Sequence, residues 1–207
     1  MKPWKLSELE AVLHCAVPVE AEITCVSTDT RDLPAGCLFV ALRGEKFDGH
    51  AFVEQAIAAG AVAAVTDRQV GDCPCLVVKD TGRALQQIAR FYREKFHPIL
   101  VGITGSVGKT TTKEMIACVL ESQFCTLKTQ GNLNNEIGQP KTLLGLEDCH
   151  QAAVIEMGMS HFGEISRMAR TAEPSIGVIT NIGYSHIENL KTCLLYTSPS
   201  PRDMRRS

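Results

Sequence analysis

The segment Leu100–Glu114 constrains the fold of this chain more than any other. It reads Leu-Val-Gly-Ile-Thr-Gly-Ser-Val-Gly-Lys-Thr-Thr-Thr-Lys-Glu, an apolar run followed by a glycine-rich turn, a lysine and three threonines. Such a turn lets successive backbone N–H groups face one anionic pocket at the positive end of the following helix. The lysine adds a cation for terminal phosphates, and the first threonine a hydroxyl for Mg²⁺. The segment predicts a phosphate-binding loop between a strand and a helix.

The loop is shorter than the common nucleotide-binding pattern. The common pattern, G-x-x-x-x-G-K-[ST], has a glycine five residues before the second glycine, but Ile103 occupies that position here. The chain therefore fits only the shorter pattern G-x-x-G-K-T, which also occurs in plain glycine turns. The context favours a nucleotide, because a strand-like run precedes the loop and helical spacing follows it. We expect a nucleoside triphosphate to be bound by Gly105, Ser106, Val107, Gly108, Lys109, Thr110 and Thr111.

The composition is typical of a soluble α/β protein and excludes few functions. The 207 residues are 44% hydrophobic and 21% charged, with a formal net charge of −2. Near-neutral charge without a long basic run argues against a nucleic-acid partner. The first ten residues hold no apolar core of signal length, and no segment approaches a membrane span. We expect a cytoplasmic monomer with no membrane partner.

The cysteines indicate no metal site from their spacing. Nine are present, an odd number, with no C-x-x-C pair; Cys73 and Cys75 form the one close pair and lack histidines at zinc-like spacing. We expect reduced structural thiols. The positions are 15, 25, 37, 73, 75, 118, 125, 149 and 193.

Alternating helical and strand patterns predict an α/β fold with two units and a tail. The first unit, 1–97, has predicted helices at 5–13, 51–59 and 82–95 and strands at 23–28, 37–42, 62–66 and 75–79. The second, 98–191, has strands at 98–104, 126–128, 152–156 and 176–180, and helices over 113–121, 139–146 and 161–169. Each of its strands is followed by a crossover long enough for parallel pairing. Residues 192–207 lack any amphipathic period and carry two Ser-Pro steps, which predicts a disordered tail.

In a parallel sheet, ligands gather beyond the carboxyl ends of the strands. Glu156 ends an apolar run there, and its carboxylate suits a hard cation, although a solvated strand-end acid would have the same pattern. Asn181 follows the next strand. The polar loop Gly131–Gly138 contains Asn134 and Asn135, which either contact substrate or make an ordinary turn.

The first unit has two polar clusters after short strands. One contains Thr30 and Arg31, and the other contains Arg43, Asp48 and His50. Arginine forks can bind phosphate and threonine can hydrogen-bond a base or sugar, but two ordinary surface turns would look the same.

Taken together, the motifs resemble the Mur ligase family, most closely the members that act on UDP-N-acetylmuramoyl-tripeptide and D-alanyl-D-alanine. They occur in the family's order and are far more specific jointly than singly. They are Asp29-Thr-Arg31, Gly36–Glu45, Asp48-Gly-His50, Thr104–Thr110, Gly131–Gly138, Val154–Gly158 and Thr180–Gly183 with His186.

The resemblance implies an ATP-dependent amide ligase of peptidoglycan synthesis that proceeds through an acyl phosphate. It assigns Lys109, Glu156 and His186 to catalysis, and Thr110, Glu156 and His186 to Mg²⁺. ATP would contact residues 105–111 and Asn181, and the UDP-sugar peptide would contact Thr30, Arg31, Asp48, His50, Asn134 and Asn135. It also implies a small substrate domain before an ATP-binding central domain with a mostly parallel sheet.

The chain departs from the family pattern after residue 191. Family members continue into a segment with a carbamylated lysine for a second Mg²⁺ and into a third domain that binds the amine substrate. We therefore expect a truncated, inactive form with a foreign tail. Two alternatives stay open: another phosphate-loop enzyme, such as a different Mur ligase, a folylpolyglutamate-type ligase or a small-molecule kinase, and a non-catalytic nucleotide-binding module.

Overall fold

A computed structural model describes residues 1–44 and 47–183 of the chain. Their contacts divide the chain into two compact units, the first ending at Phe91 and the second beginning at Tyr92. The predicted boundary at residue 97 lies a few residues further along. His186 and the predicted tail at 192–207 lie outside the described residues.

The first unit is built on a four-stranded parallel sheet of order β3-β4-β5-β6, with a separate antiparallel pair, β1 and β2. Helix α2 covers the sheet because its apolar face, with Val53 and Ala56, packs on Phe39 and Ala64. Its elements are β1 Trp4–Lys5, a 3₁₀ turn Leu6–Glu8, α1 Leu9–Leu13, β2 Glu22–Ile23, β3 Cys25–Ser27, β4 Cys37–Val40, a 3₁₀ turn Gly49–Phe52, α2 Val53–Ala58, β5 Ala63–Thr66, β6 Cys75–Val77 and α3 Thr81–Glu94, which runs past Phe91.

The second unit has a four-stranded sheet of order β10-β7-β9-β8, in which every pair is parallel. Val101, Ile103 and Val154 pack against Ala117 of helix α4, and the central strands β7 and β9 are buried at every position except Ile99. Its elements are β7 Ile99–Thr104, α4 Lys109–Glu121, β8 Thr126–Lys128, α5 Gly138–Leu143, β9 Ala152–Glu156, α6 Glu164–Ala172 and β10 Ile176–Ile179.

The predicted α/β class with parallel sheets is confirmed, and two local predictions are wrong. The helix expected from Lys5 begins only at Leu9, because Trp4 and Lys5 pair instead with Ile23 and Glu22. The expectation of reduced thiols fails for Cys25 and Cys37, which lie opposite each other on β3 and β4 and form a disulfide. Strand register decides this pairing, and cysteine spacing in the sequence does not reveal register.

Candidate functional site

The glycine loop after β7 needs glycine at two positions. Gly105 has φ of +140°, and a Cβ atom there would lie 2.0 Å from Thr180 Oγ1. Gly108, with φ of +83°, precedes the first residue of α4 in the left-handed conformation. Side chains are strained at both angles, so the predicted loop has the backbone that a phosphate cradle requires.

The segment after β10 fixes the loop from one side. Asn181 accepts a hydrogen bond from the Val107 N–H through its side-chain oxygen at 2.9 Å, and from the Ser106 N–H through its carbonyl oxygen at 3.2 Å. The Thr180 hydroxyl donates to the Val107 carbonyl oxygen at 2.6 Å. Asn181 therefore shapes the loop, and its contact with the nucleotide stays a prediction.

Lys109 and Thr110 begin helix α4, where the first-turn N–H groups have no helical partner. The Lys109 ammonium folds back and donates to the Gly105 carbonyl oxygen at 2.8 Å. Thr110 and Thr111 lie in the same exposed turn. The positive helix end, the ammonium and the hydroxyls thus lie together and form an anion-binding site.

Glu156 is the centre of the site. It ends strand β9, next to β7, and only 1% of its surface is exposed. Its Oε2 accepts from the Thr110 hydroxyl at 3.0 Å and its Oε1 from the Asn134 amide at 2.8 Å. The backbone N–H of Glu156 donates to the Thr129 hydroxyl at 2.9 Å. The structure brings together Thr110, Glu156 and Asn134, which the sequence analysis placed on three separate segments.

Asn135 has a different position from its neighbour. Its side-chain oxygen accepts from the N–H groups of Ile137 and Gly138 at 3.1 and 2.8 Å, which caps the start of α5. A Cβ atom on Gly138 would lie 2.5 Å from the Leu133 backbone, so the loop closes tightly on itself. The structure gives Asn135 a capping role, and contact with substrate stays a prediction.

Sequence reasoning missed Lys113 and Thr129. Lys113 is 2% exposed, and its ammonium donates to the Thr129 carbonyl oxygen at 2.8 Å and pairs with Glu114 at 2.9 Å. The Thr129 hydroxyl accepts a hydrogen bond from the backbone N–H of Glu156, so the buried lysine stabilises the position of Glu156 through Thr129. The available signal was a lysine four residues before Ala117, within the core-facing stripe of α4.

The first unit contains a cavity of about 450 Å³ beyond the end of β3. Phe47 and Phe52 stack beside it with ring centroids 5.4 Å apart. A hydrogen bond to Asp29, together with its charge, raises the pKa of the exposed Arg31 above its ordinary value. The lining residues are Thr28, Asp29, Thr30, Arg31, Phe39, Phe47 and Phe52. The predicted residues Thr30 and Arg31 thus line an aromatic cavity in which the Arg31 guanidinium pairs with the Asp29 carboxylate.

Asp48 and His50 belong to a hydrogen-bonded network that does not line this cavity. The buried His50 ring lies 2.6 Å from Asp48 through Nδ1 and accepts the Asp67 N–H through Nε2 at 2.9 Å. Hydrogen bonds from the backbone and ring of His50, and from Arg68, hold the pKa of Asp48 well below its ordinary value. The structure gives these two residues a supporting role, and direct substrate contact stays a prediction.

The donor set at Thr110 and Glu156 fits a hard cation. A hydroxyl and a carboxylate oxygen 3.0 Å apart, beside a phosphate-binding helix end, are the oxygen ligands that Mg²⁺ takes together with nucleotide phosphates. The third predicted metal ligand, His186, is outside the described residues.

Two family models match the chain, one over the first unit and one over the region that contains the glycine loop. Residues 22–93 match the model "Mur ligase family, catalytic domain", and residues 103–198 match "Mur ligase middle domain". The chain therefore belongs to the Mur ligase family. The second match runs past residue 191, so the predicted start of the tail at 192 is not established.

Proteins named UDP-N-acetylmuramoyl-tripeptide–D-alanyl-D-alanine ligase are similar to this chain. The Synechocystis protein of that name is 53% identical over 173 residues, covering 81% of this chain and 38% of the Synechocystis protein. The chain thus spans less than half the length of the curated relatives it matches.

Solved structures agree with this relationship. A crystal structure of MurF from Acinetobacter baumannii aligns with a TM-score of 0.89 and 37% identity, covering 94% of this chain and 44% of the other. MurF ligase from Thermotoga maritima, solved in complex with ADP, aligns with a TM-score of 0.78 and 33% identity. The alignment covers 82% of this chain and 40% of the Thermotoga protein. In the part of the chain that the structure describes, no helix has the length and hydropathy of a membrane span.

Proposed function

We propose that this chain carries the nucleotide-binding and UDP-substrate-binding parts of an ATP-dependent amide ligase that joins D-alanyl-D-alanine to UDP-N-acetylmuramoyl-tripeptide. The observation that carries the proposal is the 3.0 Å contact between Thr110 and Glu156 at the end of the glycine loop. That contact joins a phosphate cradle to a hard-cation ligand set, as phosphoryl transfer requires.

In the second unit, the loop N–H groups and Lys109 hold the phosphates of ATP. Thr110 and Glu156, with His186 from outside the described residues, would hold Mg²⁺, and the ion would supply positive charge to neutralise the phosphates. Asn134 orients the Glu156 carboxylate through Oε1 and leaves Oε2 toward Thr110. The Lys109 ammonium stabilises the negative charge that develops on the transferred phosphoryl group.

In the first unit, the cavity beyond β3 holds the uridine diphosphate end of the sugar peptide. Phe47 and Phe52 offer faces for a planar base, and Thr28 and Thr30 offer hydroxyls for base or sugar. Arg31 supplies a cation for the diphosphate. The domains then divide as 1–97 for the UDP-sugar peptide, 98–191 for ATP, and 192–207 as a separate tail.

The reaction has two steps that these sites serve. The terminal carboxylate of the tripeptide attacks the γ-phosphorus of ATP, which forms an acyl phosphate and releases ADP. The amine of D-alanyl-D-alanine then attacks the acyl carbon, forms the amide and expels phosphate. Both substrates are soluble, so we expect the enzyme to act in the cytoplasm, as a monomer.

A chimera tests the proposal. Residues 1–183 are joined to the remaining part of the Synechocystis relative, and the product with ATP, Mg²⁺, the UDP-sugar tripeptide and D-alanyl-D-alanine is measured by mass spectrometry. We expect multiple turnovers of the UDP-sugar pentapeptide, and loss of product in the Lys109→Ala chimera. Lys141→Ala is the matched control, because Lys141 is an exposed lysine on α5.

Three results would contradict the proposal. A folded chimera that binds ATP without forming an amide would favour a nucleotide-binding module. A chimera that phosphorylates a small molecule instead would favour a kinase. Product formation with a shorter UDP-sugar peptide in place of the tripeptide would favour another Mur ligase, because this chain supplies the proposed UDP-substrate site.

A further inference from the structure

Three side chains with metal-binding atoms meet at the amino-terminal edge of the second unit's sheet. Cys125 precedes β8, and Cys149 and His150 precede β9. The two sulfur atoms lie 3.0 Å apart, and the ligating atoms of all three side chains lie within 4.8 Å of one another. Within residues 1–44 and 47–183 this is the one group of three or more such side chains.

The backbone holds the two loops together without any ion. The Gln151 N–H donates to the Cys125 carbonyl oxygen at 2.9 Å, directly before the pairing of Thr126 with Ala152. A turn from Glu147 to His150 closes with a 3.0 Å hydrogen bond between the His150 N–H and the Glu147 carbonyl oxygen. The three side chains therefore project from a preformed corner of the sheet.

This corner is separate from the nucleotide site. Ala152 begins β9 and Glu156 ends it, so the two edges are four residue steps of extended strand, about 13 Å, apart. No residue of the cluster contacts the glycine loop or the polar loop Gly131–Gly138 in the hydrogen bonds of the described chain. The cluster thus needs an explanation other than phosphoryl transfer.

We propose that Cys125, Cys149 and His150 form a binding site for Zn²⁺. Two sulfur ligands and one imidazole match the ligand types that select this ion, and three protein ligands leave a fourth position for water. Both cysteines are exposed and His150 is half-buried, so the ion has a path from solvent. The site is independent of the proposed ligase activity.

Binding requires a small rearrangement. With zinc–sulfur bonds of about 2.3 Å in tetrahedral geometry, the two sulfurs lie about 3.8 Å apart, slightly more than they do now. His150 Nδ1 accepts the Glu147 N–H at 2.9 Å, so the ion competes with that N–H for the ring lone pair. The exposed cysteine side chains can turn without disturbing the sheet, because the backbone bonds described above do not involve them.

A bound ion would join the loops before β8 and β9 and so stabilise the second unit. The effect follows from mass action, since an ion that binds only the folded state raises the temperature of unfolding. This readout does not depend on ATP or on any catalytic step.

The test uses the whole 207-residue chain, kept reduced with a phosphine. Zn²⁺ affinity is measured by competition with a chromophoric chelator, and Cd²⁺ is used as a probe of thiolate coordination through its ultraviolet charge-transfer band. We expect one tight site, and a loss of affinity of about tenfold or more in Cys125→Ser, Cys149→Ser and His150→Ala. Zn²⁺ should raise the unfolding temperature of the native chain and not of these variants.

The matched control is Cys118→Ser, since Cys118 is an exposed free cysteine on α4 outside the cluster. A double change of Cys73 and Cys75 to serine controls for the close pair in the first unit, and a double change of Cys25 and Cys37 controls for the two thiols that the phosphine frees there. Unchanged Zn²⁺ affinity in Cys125→Ser and Cys149→Ser would overturn the proposal. So would a reduced chain that binds no Zn²⁺ but forms a Cys125–Cys149 disulfide in air, which would make the pair a redox couple.

Discussion

The two units have similar parallel sheets but different strand orders, and the difference decides how each site is built. In the second unit, the connection from β7 passes β9 to reach β8, whereas the connection from β9 passes β7 to reach β10. The two connections therefore run in opposite directions and open a crevice at the carboxyl ends of β7 and β9. In the first unit, the order β3-β4-β5-β6 follows the chain, and no such reversal occurs among its described strands.

The consequence is a difference in what holds each ligand. The phosphate site uses backbone groups and a helix end, fixed by glycines whose replacement would clash or strain. The cavity of the first unit uses side chains from a loop after β3, from β4 and from the segment before α2. A site built from backbone groups requires glycines at fixed spacing, which can be recognised in the sequence. A site built from side chains requires only suitable residue types, whose spacing along the chain is not fixed.

The largest expected effect comes from a substitution that weakens the nucleotide site and leaves the first unit unchanged. Lys109→Ala should weaken Mg-ATP binding by about 1.5 to 3 kcal/mol, tenfold or more, because a charge-assisted contact is lost. Calorimetry with ATP and with the UDP-sugar tripeptide measures both sites, and Lys141→Ala is the control. Equal ATP affinity in Lys109→Ala and the native chain would show that Lys109 does not bind the nucleotide.

The next effect concerns the buried support of Glu156. Lys113→Met should destabilise the second unit by about 1 to 3 kcal/mol, since the Thr129 carbonyl oxygen loses its donor in the interior. Lys128→Met is the matched control, because Lys128 pairs with the same Glu114 near the surface, and its loss should be smaller. Urea unfolding measures both, and equal losses would show that Lys113 contributes only a surface ion pair.

A third change tests the aromatic cavity. Phe47 is 52% exposed, so Phe47→Ala should leave the fold intact while UDP-sugar peptide binding falls by about 1 kcal/mol or more, as stacking on a base is lost. Phe162→Ala, on an exposed ring of the second unit, is the control. Hydrogen exchange should also show protection of Thr28–Arg31 by the UDP-sugar peptide without nucleotide. Protection only in the second unit would move the uridine site there.

The smallest effect is a pH dependence in the first unit. The pKa of Asp48 is lowered in the folded state, so this carboxylate stabilises the fold above its unfolded pKa and loses that effect as pH falls. Asp48→Asn should lower the unfolding temperature near pH 6, and the difference from the native chain should shrink toward about pH 3. A difference that is constant across this range would show that the His50 network does not depend on the charge of Asp48.

Particular residues show how far sequence reasoning reached. It placed the strand, loop and helix around Lys109 and the strand ending at Glu156 within a few residues, because apolar periodicity and glycine chemistry act locally. It did not find Lys113, which reads as one polar residue among several on α4. It grouped Asp48 and His50 with Thr30 and Arg31, although only the latter two line the cavity.

The sequence by itself determined the alternation of helices and strands, the phosphate-binding loop and the family, since each depends on short-range patterns of residue type. Only the tertiary structure decided which segments meet. Strand order brought Glu156 and Asn134 to Thr110, and strand register paired Cys25 with Cys37 and placed Cys125 beside Cys149. Register and order depend on how distant segments pack, and no local pattern encodes those distances.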